Sequence, residues 1–318
     1  MLFKYREPRW YFWGLRVGLL NLFRNRTTLG LKKTLGKIFQ PLNSYTRFPE
    51  YHFLGQAIEH FIVEEERERP LVVLDVGSPK LFGLYLAYHY DIEVYLTDIS
   101  HLNIDEYIIL WNAIRNKARG RILFERQDGR ALSYSDAWFD IVYSMSVVEH
   151  VEGDNQDSKM VSETWRVLKP GGLLLISVPF GNLYMEQSII GFAHATEVVD
   201  DKSLYFFQRV YDQSTIQTRL LASLSLHPDN LKIWTVFRRK SFLTQLYHRL
   251  RLVMGENVNG LLGFINPFLS LLLNRHKEGL YMEFLTSYAP VHSLRDIYGD
   301  LILACHKPGR MTSSTTTL

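Results

Sequence analysis

From about residue 50 onward the chain alternates solid apolar runs with longer segments whose apolar positions recur every three or four residues. "FPEYHFLGQAIEHFIVEEERERP" reads as a helix that closes in a charged run and is stopped by Pro70. "LVVLDV" then reads as a strand with both faces buried, since it has no polar alternation. The same alternation continues: helix "LFGLYLAYHY", strand "EVYLTD", helix "NIDEYIILWNAIRN", strands "RILFERQD" and "FDIVYSMS", helix "DNQDSKMVSETWRVLKPGG", strand "LLLISVPF". Further on, "YDQSTIQTRLLAS" has helical spacing, while "NLKIWTVFRR" and "GDLILACHK" read as a sixth and a seventh strand.

Apolar strands alternating with amphipathic helices predict a Rossmann-like α/β fold. It is a doubly wound, mainly parallel seven-stranded sheet with helices on both faces. The fifty or so residues before the last strand are too many for a plain loop and carry helical apolar spacing, so a helical insertion is expected over about 240–288. The expected organisation is a basic amphipathic N-terminal segment (1–48), one domain (49–310) and a disordered tail (311–318).

Charge changes the picture at the N-terminus. The whole chain carries only +3, yet residues 1–50 hold ten Lys/Arg against Glu7 and Glu50. On a helical wheel Tyr11, Phe12, Leu15, Leu19 and Leu22 share one arc, with Arg9, Arg16 and Arg24 elsewhere. That suits a helix in a membrane interface, and equally a lid helix with its charges in water. Neither "YFWGLRVGLLNLF" nor "GLLGFINPFLSLLL" reaches the roughly 20 apolar residues of a membrane span. No basic and aromatic pattern recurs across the body, so nucleic acid is not an expected partner. The single cysteine, Cys305, excludes an internal disulfide framework and a multi-cysteine metal site, and fits a reducing, cytoplasmic setting. No metal is expected.

In a sheet of this kind ligands gather at the carboxyl ends of the strands. Four features fall there in order: Asp75-Val76-Gly77, Asp98, Asp128-Gly129, and "FDIVYSMSVVEHV" with Glu149-His150, followed by the "LKPGG" turn. Asp98 comes 23 residues after Asp75, where an acidic residue can accept from both hydroxyls of a ribose. The glycine turn is unusual, because Pro79 and Leu81 stand where such turns carry further glycines. Ser78 is a good helix N-cap and proline is welcome at a first helical position, so "SPKLF" is expected to enter its helix early. Lys80 reads as a solvated charge. His194, Tyr205, Arg209 and Tyr211 fall in a region that could border a substrate, although each singly reads as structural.

The ordered series "D-x-G … FD-x-V … EH … LKPGG" resembles the class I S-adenosylmethionine-dependent methyltransferases over roughly residues 50–180. A dehydrogenase fits less well, since G-x-G-x-x-G is absent. The resemblance implies S-adenosylmethionine as cofactor, with Asp75, Gly77 and Ser78 beside its methionine part. Asp98 would hold the ribose, Asp128 and Gly129 the adenine, and Ser144 and Met145 the pocket floor. Glu149 and His150 would face the reacting methyl group, His150 as a base near neutral pH. The implied acceptor is a small molecule, a lipid-linked intermediate or a glycan. A non-catalytic binding protein on the same fold is the alternative that the altered loop leaves open.

Overall fold

A computed structural model describes residue 13 and residues 47–64, 69–190, 203–238, 280–284 and 299–309. The leader apart from Trp13, most of the expected insertion, His194 and the tail lie outside the described residues.

The first helix, α1 (Arg47–Glu64), leads into β1 (Leu71–Val76). Then follow α2 (Leu81–His89), β2 (Ile92–Asp98), α3 (His101–Asn112), β3 (Arg121–Arg126), β4 (Phe139–Met145), α4 (Gln156–Val167) and β5 (Leu168–Phe180). A two-stranded antiparallel ribbon comes next, β6 (Met185–Ile190) with β7 (Leu204–Val210). A helical turn at Gln213–Thr215 runs into a π-helical Ile216–Leu221. The chain returns to the sheet as β8 (Leu231–Arg238), β9 (Leu280–Phe284) and β10 (Gly299–His306).

The main sheet has the order β3-β2-β1-β4-β5-β10-β8-β9. Its first five strands are parallel, whereas β10 runs antiparallel to both neighbours, β5 and β8. All seven expected strands are present. An eighth, β9, pairs antiparallel with β8 at the edge, within a stretch expected to be helical. Five residues cannot declare a helix or strand by periodicity alone, and the open edge of β8 supplies the backbone partners that decide it.

Alternate residues of the central strands face opposite layers, as the pleat requires. Val73, Ile141, Tyr143 and Met145 pack with α1, α2 and α3, while Leu74, Val142 and Val76 pack with α4 and the π-helical turn. Residues Leu81–Ala87 of α2 are buried all round, which makes it an interior helix rather than a surface one. Its outer side meets Trp13, whose ring centroid is 5.7 Å from that of Tyr85 and 5.3 Å from that of Tyr88.

The "FD" and "LKPGG" motifs meet at the amino end of the sheet. Asp140 accepts from Lys169 Nζ (3.1 Å), from Arg69 Nη2 (2.8 Å) and from the Val72 N–H (2.9 Å). Arg209 and Tyr211, named as possible pocket residues, are buried structural partners. The Tyr211 hydroxyl donates to Asp157 Oδ2 at 2.8 Å, and Arg219 grips the same carboxylate at 2.8 and 2.9 Å. Among the described residues no helix is long and apolar enough to cross a membrane.

Candidate active site

The strand order reverses between β1 and β4, and a cleft of about 520 Å³ opens beyond their carboxyl ends. That volume lies in the range of small-molecule sites. Its lining comes from the ends of four parallel strands: Gly77 to Lys80 after β1, Asp98 and Ile99 at β2, Gln127 to Arg130 after β3, and Ser146, Val147 and His150 after β4. Tyr107 and Met160 complete the walls with Val151 to Gly153.

The loop after β1 keeps one obligatory glycine. Gly77 has φ +73°, and a Cβ built there would lie 2.7 Å from Val147 Cγ1. Both the backbone conformation and the approach of the opposite wall exclude a side chain. The expected helix entry is different, however. α2 begins at Leu81 and its N-cap is Lys80, so Ser78 does not cap it. Instead the Ser78 hydroxyl accepts the Met145 N–H across the strands (2.9 Å), and the Ser78 N–H donates to Asp75 Oδ1 (2.9 Å). Close helix–sheet packing passes to Gly83, where a Cβ would fall 2.3 Å from Leu96 Cδ2.

Lys80 departs most from expectation. It is 1% exposed rather than solvated. Its ammonium donates to the Ser78 carbonyl (2.5 Å) and to Asp75 Oδ1 (3.2 Å), and stands 3.5 Å from Asp98 Oδ2. Burial pushes the Asp75 carboxyl up to about 6, with the Lys80 charge pulling the other way. Asp75 is therefore the anchor behind the loop and does not line the cleft.

Asp98 lines the cleft, its Oδ1 accepting the Ser100 N–H at 3.0 Å. Asp128 does too, held by its neighbour: Arg130 Nε donates at 2.9 Å and Nη2 at 2.7 Å. That pairing keeps the Asp128 carboxyl below the usual carboxylate range. Gly129 sits beside it against Val76 and Met160.

Ser144 and Met145 are fully buried and leave the expected floor. The Ser144 hydroxyl donates to the Val76 carbonyl at 3.0 Å. The floor is made one step later by Ser146 and Val147, with Ser146 held at φ +46°. Backbone strain of that sort is a recurrent mark of functional turns. Nothing in the sequence marks Ser146 above Ser144; β4 ends at Met145, so Ser146 stands beyond the strand at the cleft while Ser144 stays within the sheet.

His150 lines the cleft, while Glu149 is buried under it, with Oε1 3.6 Å from His150 Nε2. His150 Nδ1 lies 2.6 Å from the Phe207 carbonyl. A carbonyl only accepts, so Nδ1 carries a proton, and the tautomer this selects has its lone pair at Nε2. Arg209 holds the neighbouring wall: its guanidinium donates to the carbonyls of Val151 and Gly153, the latter at 2.8 Å, and to Glu186 Oε1 at 3.1 Å. Tyr205 lies half-buried on the ribbon, outside the cleft lining.

Residues 74–176 match the family model described as a methyltransferase domain. Over this region the chain is similar to the class I S-adenosylmethionine-dependent methyltransferases. Over 106 residues the chain is 34% identical to a phosphoethanolamine N-methyltransferase of Triticum aestivum, covering 33% of this chain and 20% of that protein. The chain thus matches about a fifth of that relative's length. Among solved structures, an S-adenosylmethionine-dependent methyltransferase of Methanosarcina mazei is 16% identical, with 79% of this chain and 97% of that one covered and a TM-score of 0.45. A phosphoethanolamine N-methyltransferase 2 of Haemonchus contortus is 13% identical over 92% of this chain and 60% of that one, with a TM-score of 0.43. The methyltransferase match begins in β1 and ends in β5, so it takes in every strand end that borders the cleft.

Proposed function

We propose that this protein is an S-adenosylmethionine-dependent methyltransferase acting on a small-molecule, lipid-linked or glycan acceptor. The observation that carries the reading is the convergence of Gly77, Asp98, Asp128 and His150, from four strand ends, on one cleft. The residues suit the cofactor. The bare backbone at Gly77 allows close approach, Asp98 has acceptor capacity for a ribose diol, and Asp128 with Gly129 offers an edge for an adenine amino group.

When bound, the cofactor supplies a methyl group already activated on a sulfonium. What the chain adds is alignment, exclusion of water and, for an acceptor that must lose a proton, a base. His150 fills that last role. Its Nε2 lone pair takes the proton from the acceptor, and the imidazolium that results lies beside Glu149. The Phe207 carbonyl fixes the tautomer throughout.

Titration calorimetry with S-adenosylmethionine and S-adenosylhomocysteine tests the reading, and absence of binding at millimolar ligand overturns it. Transfer of label from methyl-tritiated S-adenosylmethionine into small-molecule and lipid fractions identifies the acceptor class. With that acceptor, His150→Gln should lower kcat by about 10²- to 10⁴-fold while the KM for the cofactor changes little. An unchanged kcat removes His150 as the base.

A second reading, a non-catalytic binding protein on the same fold, is favoured by the way Lys80 and Arg130 pair with the cleft carboxylates Asp98 and Asp128 from within the chain. It predicts ligand binding without label transfer. Of residues 1–46, Trp13 is the one described, and it packs against Tyr85 and Tyr88.

A further inference from the structure

The buried lysine in the loop after β1 has no place in the motif pattern that identifies the domain. Three observations bear on what it does. First, Lys80 enters from the position where the turn passes into α2, and its side chain folds back under the loop rather than out into water. Second, its ammonium stands between two carboxylates on neighbouring parallel strands, 3.2 Å from Asp75 Oδ1 and 3.5 Å from Asp98 Oδ2. In the β1–β2 register Val76 pairs with Thr97, so Asp98 lies one step beyond the last residue of β1, beside the turn Lys80 closes. Third, Asp98 is held from two sides. The Ser100 N–H meets Oδ1 at 3.0 Å and Lys80 stands at Oδ2, while the carboxylate still lines the cleft.

A carboxylate offers about four lone-pair sites, so an oxygen already engaged from behind keeps acceptor capacity in front. Two supports, one per oxygen, fix the plane of the group. A group so fixed does not give up side-chain freedom when a ligand arrives, which is the general benefit of preorganisation. The ammonium also places a positive charge between two carboxylates that would otherwise repel one another in a poorly solvated site. In a loop that lacks its second and third glycines, turn geometry alone does not have to set the height of the floor. The Lys80 bonds to Asp75 and to the Ser78 carbonyl tie it down.

We infer that Lys80 is a positioning residue for the nucleoside half of the cofactor: bridging Asp75 to Asp98, it orients the Asp98 carboxylate toward the ribose hydroxyls. The inference rests on the reading of the cleft as an S-adenosylmethionine site. Lys80 acts through Asp98, so its effect on affinity disappears once Asp98 can no longer accept from a ribose.

The test is a double-mutant cycle on the full chain, read by titration calorimetry with S-adenosylhomocysteine, with thermal melting recorded alongside. Lys80→Met should weaken binding about tenfold or more, as the loss of a charge-assisted support implies. Asp98→Asn should weaken it by a similar or larger factor. The double variant Lys80→Met/Asp98→Asn should bind within about threefold of Asp98→Asn alone, a coupling that simple loss of stability would not produce. Because Lys80→Met leaves Asp75 buried beside an apolar chain, the comparison is repeated as Asp75→Asn/Lys80→Met against Asp75→Asn, where no buried charge is stranded. Binding by Lys80→Met within twofold of the wild type, or losses that multiply in the double variant, overturns the inference and leaves the proposed function standing. Failure of the wild type itself to bind overturns both.

Discussion

At Gly77 a side chain is excluded on two grounds, a φ of +73° and a Cβ position 2.7 Å from Val147. Gly77→Ala should therefore cost about 1–3 kcal/mol of stability and push Val147 away from the β1 loop. Urea denaturation measures the first effect. Titration with S-adenosylhomocysteine measures the second, as a loss of at least about tenfold in affinity, since the cleft wall itself moves. An alanine that binds like the wild type would mean that the loop can relax without consequence. The requirement at Gly77 was readable in the sequence, as was the place of Asp98, Asp128 and His150 at the cleft, because each lies at or shortly after the end of a strand that periodicity locates. Lys80 was not. A lysine in a loop carries no periodic signal, and its two partners are 5 and 18 residues away in the chain. Only the parallel register of β1 and β2 makes them neighbours. Ser144 and Met145 failed for a related reason: the residue at which β4 ends decides which side chains reach the cleft, and boundaries of that fineness are not written in apolar patterning.

Among the elements, the β6–β7 ribbon does the work that the sequence least foreshadowed. Its backbone supplies the Phe207 carbonyl that sets the His150 tautomer, and its Arg209 binds two carbonyls of the cleft wall. The one legible hint was an arginine within the aromatic-rich run "FFQRVYD". A buried guanidinium that satisfies two carbonyls and stands 3.9 Å from Asp157 is costly to remove. Arg209→Met should lower stability by about 2–4 kcal/mol and weaken S-adenosylhomocysteine binding in the same variant, because Val151 and Gly153 lose their donors. Chemical denaturation and calorimetry check the two effects. A change under about 0.5 kcal/mol would show that the two carbonyls find other donors. β9 is an opposite case, an element read as helix and made strand by tertiary context. Its backbone groups complete the edge of β8, and no local preference of five residues competes with that.

For the molecule as a whole, the layering was legible because solid apolar strands separated by helices have few ways to pack. What could not be read was the pairing of charges across layers, and this governs behaviour in acid. Burial alone would raise Asp157, but Arg219 and Tyr211 outweigh it and hold the carboxyl below its usual range; Arg69 and Lys169 do the same for the buried Asp140. Carboxyls lowered in the fold contribute stability above their unfolded value, near pH 4, and lose it as pH falls through the folded values. Asp75 has the reverse sign. Raised to about 6, it contributes at low pH and loses that contribution as pH rises through the interval between about 4 and 6. Urea midpoints taken from pH 3 to 8 should therefore fall steeply below about pH 4. The wild-type advantage over Asp75→Asn should shrink across about pH 4 to 6. A difference that stays constant, or grows, across that interval would contradict the assignment.

β10 has a practical consequence for anyone who studies ligand entry. Cys305, the only cysteine of the chain, lies wholly enclosed in that strand, its thiol pushed up to about 12 by burial. Alkylating reagents need a thiolate they can reach, and the folded protein offers them none. For maleimide chemistry the natural sequence thus behaves as a cysteine-free background. One thiol introduced at the exposed Glu152 on the cleft rim would take a fluorophore alone, turning the arrival of a ligand into an optical signal without any rewriting of the interior.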